Sequence, residues 1–298
     1  MKSFHLAGII PIAGQKSDFN LPWHDTMMPI APNYFAVERS IVECAYAGCE
    51  TIWIVCNDDV EPLIRHKIGD YVKDPVWFNR SQYGTRPKNE TKEIPIFYVP
   101  VHAKDRGKRD CLSWGILYGA LTAYHISQQI SRWLKPKRYY VSFPMGVYPP
   151  EFLREHRNKI SSTSGFYISH QGKTIKDGEP LGFTFDEEGY KSFMRKIREG
   201  TGEYIKGQTF SDNRGPIKKL PIEERWSARE FTLADIFNVA DITNSQIVET
   251  SWFYNIDNWE NYCYYLGSNE SKTIKRPAET MLSYREFNEI GVDNEGGV

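Results

Sequence analysis

Four short apolar runs, each followed by a segment of helical spacing, constrain this chain more than any other feature. They are Phe4–Ile12 (FHLAGIIPI), Thr51–Cys56 (TIWIVC), Ile94–Val101 (IPIFYVPV) and Tyr139–Phe143 (YYVSF). Each is too short and too rich in β-branched and aromatic residues for a helix, and each is apolar at successive positions. Both properties predict strands buried on both faces. Between them, Val37, Ile41, Cys44 and Ala45 share one face of a helix over Ala36–Ala47, which Gly48 stops. Val60, Ile64 and Ile68 mark a second helix, with Asp58 as its expected cap. Leu112, Ile116, Gly119, Ala120 and Ala123 mark a third over Cys111–Ile126, and Glu151–Ile160 a fourth with a charged outer face. Strands alternating with helical crossovers require a three-layer α/β sandwich around a mainly parallel central sheet.

The second half changes character. Gly165–His170 and Leu181–Phe185 predict strands joined by a polar turn, and Tyr190–Ile197 a helix. Residues 200–225, rich in Gly, Pro and charge, predict a loop. Thr232, with Asp235 three residues on, opens another helix as a capping box. A strand over Thr250–Asn255 and a helix over Asn258–Leu266 follow, with Trp259, Tyr262, Cys263 and Leu266 expected inward.

Composition excludes several classes. Of 298 residues, 40% are hydrophobic, so wholesale disorder is ruled out. The 37 basic and 38 acidic residues nearly cancel, which argues against a general nucleic-acid coat. No apolar run approaches the ~20 residues that cross a bilayer, so no membrane association is expected, and the expected setting is cytoplasmic. The five cysteines, Cys44, Cys49, Cys56, Cys111 and Cys263, form no CxxC pair. They are expected to be buried free thiols rather than a disulfide framework or zinc knuckle. Neither HExxH nor GxSxG occurs.

Three segments could carry chemistry. In Gly8–Phe19 (GIIPIAGQKSDF), a buried strand runs into a small-residue turn, Ala13–Gly14, and then Gln15, Lys16 and Ser17. Such a turn lets main-chain amides approach an anion, with Lys16 adding charge; a tight turn with Gly14 at positive φ and no ligand fits equally well. The loop KDRGKRD places Lys104, Arg106, Lys108 and Arg109 before a helix N-terminus, an anion site or a solvated charge run. Asp110 at its end is either a ligand contact or a helix cap. In the 200–225 loop, Tyr204, Lys206 and Arg214 interleave rings with charge, suiting a lid on the acceptor side or an ordinary exposed connection.

The order of these segments resembles the sugar-phosphate nucleotidyltransferase family. Its first strand enters a LAGGxGTRL-type loop, followed by a KPLLPI-type segment and a helix closing in AGxxxIxIV. Here PIAGQKS, then Met27–Ile30 (MMPI) and Ala47–Val55 (AGCETIWIV), stand in that order. Trp252–Tyr262 (WFYNIDNWENY) is similar to the family's WxDIxTxEDY element. The resemblance covers most of the chain and implies a Rossmann-like fold of the nucleotidyltransferase or GT-A type. It implies a nucleotide-binding core over 1–240 with acceptor-side insertions, and a strand–helix segment over 241–298 with a frayed tail. It further implies binding of a nucleoside triphosphate or nucleotide-sugar by Ala13, Gly14, Gln15, Lys16 and Ser17, with Lys104, Arg106, Lys108, Arg109 and Asp110 opposite, and a sugar phosphate as acceptor. Tyr204, Lys206 and Arg214 would face the acceptor. The family's Mg²⁺ ligands would fall at Met145 and Asn255, which leaves Asp257 as the nearest carboxylate for the metal. The loop Arg falls near Asp18, and the Lys before the LLPI-type segment is Asp25 or Thr26. These departures keep two alternatives open: a GT-A glycosyltransferase using a premade nucleotide-sugar, its acceptor as large as a nucleic acid, and an inert nucleotide-binding or assembly protein of the same fold.

Overall fold

A computed structural model of the chain describes residues 5–15, 19–76, 92–106, 111–130, 135–162, 164–200 and 231–277. The first half contains β1 (Leu6–Pro11), β2 (Pro29–Ala31), β3 (Tyr34–Phe35), α1 (Ala36–Ala47), β4 (Thr51–Cys56), α2 (Glu61–Ile68), β5 (Tyr71–Lys73) and β6 (Glu93–Pro100). Next come α3 (Ala103–Arg106), α4 (Leu112–Ile130), β7 (Arg138–Val141), β8 (Gly146–Val147) and α5 (Leu153–Ile160). The second half adds β9 (Phe166–Ser169), β10 (Phe183–Phe185), α6 (Glu187–Gly200), α7 (Leu233–Phe237), β11 (Gln246–Glu249), β12 (Tyr254–Asn255) and α8 (Trp259–Gly267).

Eight strands form one sheet in the order β11-β9-β10-β7-β1-β4-β6-β5. Its centre, β7-β1-β4-β6, is parallel throughout, and β5 and β10 join it antiparallel. Strict alternation on the central strands feeds two cores. Leu6, Ile10, Ile52 and Ile54 point to one face, covered by Val37 and Ile41 of α1, Ile64 and Ile68 of α2, and Leu153 of α5. Ala7, Ile9, Trp53 and Val55 point to the other, under Ile116 and Ala120 of α4, Phe193 of α6 and Phe237 of α7. This is the expected three-layer α/β sandwich. The chain leaves β1 through α1 on one face and reaches β7, on the other side of β1, through α4 on the opposite face. That reversal opens a crevice at the carboxyl ends of β1 and β7.

Four local expectations are corrected. Asp58 does not cap α2: Val60 takes that place, and the Asn57 carbonyl accepts the Val60 and Glu61 amides at 3.1 and 3.0 Å. The strand expected over Thr250–Asn255 is confined to β12, Tyr254–Asn255. β11 precedes it and pairs parallel with β9, and only Tyr254–Asn255 pairs with β8. α8 buries Tyr262 and Tyr265, while Trp259, Cys263 and Leu266 are exposed. The two phenols win because their hydroxyls donate to the Pro29 and Ile30 carbonyls at 2.7 and 2.8 Å, satisfying both polar tips inside an apolar contact. Cys263 is therefore an exposed thiol, whereas Cys44, Cys49, Cys56 and Cys111 are buried as expected. Thr232 and Asp235 form the expected capping box on α7. No helix among the described residues is long and apolar enough to cross a membrane.

Candidate functional site

β1 ends in the turn Ile12–Gln15, at the mouth of the crevice. Gly14 has φ +79°, and a Cβ there would lie 2.5–2.6 Å from the backbone C, Cα and N of Cys111. Glycine is thus required twice, by its dihedral and by the Cys111 backbone that leads directly into the 19-residue helix α4. Cys111, the residue between the KDRGKRD loop and α4, is thereby brought against the turn. The amides do not form the open cradle the pattern suggests. Ile12 and Ala13 both donate to the Val55 carbonyl, at 2.8 and 2.9 Å, and Gln15 donates back to Ile12 at 3.3 Å. Lys16 and Ser17 lie outside the described residues, as do Lys108, Arg109, Asp110, Tyr204, Lys206 and Arg214. Lys104 lies on α3, and Arg106 at its end donates to the Val101 carbonyl at 3.2 Å and to Asp58. The second basic residue thus clamps the carboxyl ends of β4 and β6.

The opposite rim is Ser142–Met145, after β7. Ile256 donates its amide to the Met145 carbonyl at 2.8 Å, and Asn255 pairs with Gly146 across the two-stranded β8–β12 ladder. The two positions where the resembled family places its metal carboxylates are therefore neighbours, and here they carry a buried thioether and an amide. Asp257 lies beyond the end of β12 and does not continue the strand's alternation into the crevice. Its carboxylate accepts amide hydrogens from Asn255 and Asn258 at 3.0 Å and from Asn261 at 3.5 Å. The Asn255 Oδ1 is buried with no hydrogen-bond partner among the described residues. One carboxylate ringed by three amides and one amide oxygen do not fit a divalent cation. Among the described residues no group of three His, Cys, Asp or Glu side chains converges as metal ligands.

The aromatic residues of the C-terminal element fix the segment after the turn. Phe19 packs edge-on against Trp259 and Tyr262, with ring centroids 6.1 and 6.0 Å away. Tyr262 and Tyr265 hold the MMPI segment as described, so the two ends of the family-like pattern touch. His24 caps the short turn that follows through Nδ1, which accepts the Thr26 amide at 3.3 Å. Burial lowers its pKa against the pull of Asp59, leaving a neutral imidazole engaged in local structure.

Beneath the β7 rim lies a charge network that sequence reading missed. Arg39 and Glu43, four residues apart on α1, are fully buried and 2.8 Å apart. Glu43 also accepts hydrogen bonds from Ser142 and Tyr140, each at 2.5 Å, and from Tyr148. Arg39 donates to the Phe143 carbonyl at 2.8 Å and lies 4.7 Å over the Tyr148 ring. Burial opposes the charge on Arg39, but Glu43 and Tyr148 outweigh it and the guanidinium stays protonated. Burial, and next Glu43, push the Tyr140 and Tyr148 hydroxyls well above their ordinary pKa, so both remain donors. Gly182 must lack a side chain because its Cβ would strike the Tyr140 hydroxyl. The only signal in the sequence was an i,i+4 Arg–Glu pair, which on most helices is solvated.

No protein-family model and no curated protein matches this sequence. Among solved structures, the chain is similar to a Bacillus anthracis protein assigned as a glucose-1-phosphate thymidylyltransferase and solved with sucrose. That likeness has a TM-score of 0.50 at 9% identity, over 92% of this chain and 98% of the other. Similarity to a UDP-glucose pyrophosphorylase complexed with UDP-glucose has a TM-score of 0.48 at 11% identity, over 88% and 97%. A Vibrio cholerae RC9 nucleoside-diphosphate-sugar pyrophosphorylase gives 0.46 at 13% identity, over 88% and 100%. At such identities it is the architecture that is shared: the mainly parallel eight-stranded sheet with helices on both faces is an α/β fold of the nucleotidyltransferase type.

Proposed function

We propose that the crevice at the carboxyl ends of β1 and β7 binds a nucleotide or nucleotide-sugar, and that the chain is a nucleotidyltransferase-like transferase acting on a sugar phosphate. The observation that supports this most is the Gly14–Cys111 contact, which sets a glycine turn against the positive end of a long helix at the sheet's switch point. In this reading Ala13, Gly14, Gln15, Lys16 and Ser17 line one side of the ligand. Lys104, Lys108, Arg109 and Asp110 approach it from the α4 side, with Arg106 supporting the rim, and Tyr204, Lys206 and Arg214 face the acceptor. Because the Ile12, Ala13 and Gln15 amides are already engaged, side chains rather than a main-chain nest carry most of the phosphate contact. Catalysis then rests on holding donor and acceptor in line and on stabilising the phosphate leaving group with fixed positive charge. No step is assigned to a metal ion, since the residues around Asp257 do not suit one.

Met145 and Asn255 favour a second reading, in which a premade nucleotide-sugar is the donor and no triphosphate is attacked. Thermal unfolding with nucleoside triphosphates, nucleotide-sugars and Mg²⁺ separates the readings, because a ligand at 100 Kd stabilises by about 2.7 kcal/mol. Stabilisation by a triphosphate with pyrophosphate release from added sugar phosphate supports the first reading. Stabilisation by nucleotide-sugars alone supports the second, and no shift with any of them refutes both.

A further inference from the structure

At the other end of the sheet, beside the amino end of β7, lies a cavity of about 530 Å³ between β9, β10, α6 and the 239–245 turn. β10 runs antiparallel to β7, with Phe185 opposite Tyr139, so the cavity is a strand's length away from the Gly14 crevice. We propose that this cavity is a second ligand site that takes a small organic amine.

Charge points to this class. Among the described residues, Asp186, Glu188 and Asp241 line the cavity against a single cation, Arg138. The Arg138 guanidinium is turned to the chain, donating to the Ser162 and Ser164 carbonyls. Lys191 and Arg195, one turn along α6, pair with Glu187 and Glu199 of their own helix. Lys176 adds positive charge near Asp241 but does not line the cavity. A phosphate or nucleotide entering here would meet more carboxylates than cations, whereas an ammonium group would be attracted.

A second, independent feature is Tyr167. It is only 4% exposed and its ring stacks on Phe183, 6.1 Å between centroids and 15° from parallel. Its hydroxyl has no hydrogen-bond partner among the described residues. Burial and then the neighbouring Asp241 and Asp186 raise its pKa to about 12, so it stays a neutral phenol able to accept a hydrogen bond from an ammonium. A pinned phenol whose hydroxyl opens unpaired onto a polar cavity presents a hydrogen-bonding site that a ligand or water completes. The carboxylates are held in place. Asp186 accepts the Gly189 amide at 3.0 Å, and Asp241 accepts the Thr243 amide at 2.9 Å. The volume is within the range of small-molecule sites.

The test is calorimetric titration of the full chain with putrescine and glucosamine, with glucose and inorganic phosphate as controls. Both amines are expected to bind, and both controls to fail. Tyr167→Phe, which removes one unpaired hydroxyl, is expected to weaken amine binding about tenfold with an unchanged Tm, and Asp241→Asn to weaken it similarly. Three results would each overturn the proposal: no binding of either amine, equal binding of glucose or phosphate, or amine affinity unaltered in both variants. A Gln15→Glu substitution in the crevice at the other end of the sheet is expected to leave amine affinity unchanged, which separates this site from the nucleotide reading; a matching loss there would overturn the separation.

Discussion

Substituting Glu43 tests how the β7 rim of the crevice is held. The carboxylate accepts hydrogens from Arg39, Ser142, Tyr140 and Tyr148, and neither it nor Arg39 touches solvent. Removing one partner of a buried ion pair costs about 3–5 kcal/mol, because the other charge stays buried without compensation. Three hydroxyls losing their acceptor add to this, at about 1 kcal/mol or more each where water does not replace it. Glu43→Ala is therefore expected to lose at least ~4 kcal/mol, a large share of the ~5–15 kcal/mol that stabilises a domain. Glu43→Gln keeps the shape and is expected to lose ~2–3 kcal/mol, which leaves a measurable protein if the alanine variant does not fold. Replacing both charges, as Arg39→Met with Glu43→Leu, is expected to cost less than the sum of the single changes by ~2 kcal/mol or more. Urea unfolding at pH 7 gives each difference from the midpoint at constant slope. A Glu43→Ala cost below ~1 kcal/mol, or strict additivity in the double variant, would show that the network does not hold the rim.

Further outcomes follow from other contacts. Gly14→Ala is expected to lower Tm by several degrees even without ligand, since its Cβ would meet Cys111 backbone at 2.5–2.6 Å; an unchanged Tm would show that the turn and α4 part without cost. Tyr265→Phe is expected to cost ~1–2 kcal/mol in urea by orphaning the buried Ile30 carbonyl. For Asp74, burial raises the pKa, but hydrogen bonds from Arg157 at 2.6 and 3.0 Å outweigh it and hold the folded value below 3.8. A lowered folded pKa adds stability above the unfolded value, and that stability is lost as pH falls through the folded one. Asp74→Asn is thus expected to be less stable than the parent at pH 7, with the gap closing below pH ~4; a gap independent of pH would contradict the ion pair.

The central sheet was legible because burial on both faces leaves little choice. LAGIIP and IWIVC are apolar and buried at every position, and only a parallel strand covered on both sides accommodates that. The capping residues were legible for a local reason: Thr232 and Asp235 bond to amides within one turn. Long-range consequences were not. Arg39 and Glu43 gave no signal beyond their i,i+4 spacing, because nothing near them in sequence shows that α5 and the β7 rim close over α1. QIVE did not read as a strand, since β11 is an exposed edge whose pairing with β9 spans about eighty positions. At the site, sequence placed a glycine turn at the end of β1, and the structure puts Gly14 there at positive φ. The engagement of the turn's amides by Val55 depends on the β1–β4 pairing and had no local signal.

Equilibrium titration of the parent chain and Gln15→Glu, each with a panel of nucleotide-sugars and nucleoside triphosphates, examines the crevice itself. Gln15 is half-buried at the turn, and a carboxylate there faces a bound phosphate at a cost of roughly 1–2 kcal/mol. The account predicts that at least one member of the panel binds the parent and binds Gln15→Glu about tenfold more weakly at equal Tm. No binding by any member, or equal affinity for both proteins, would contradict it.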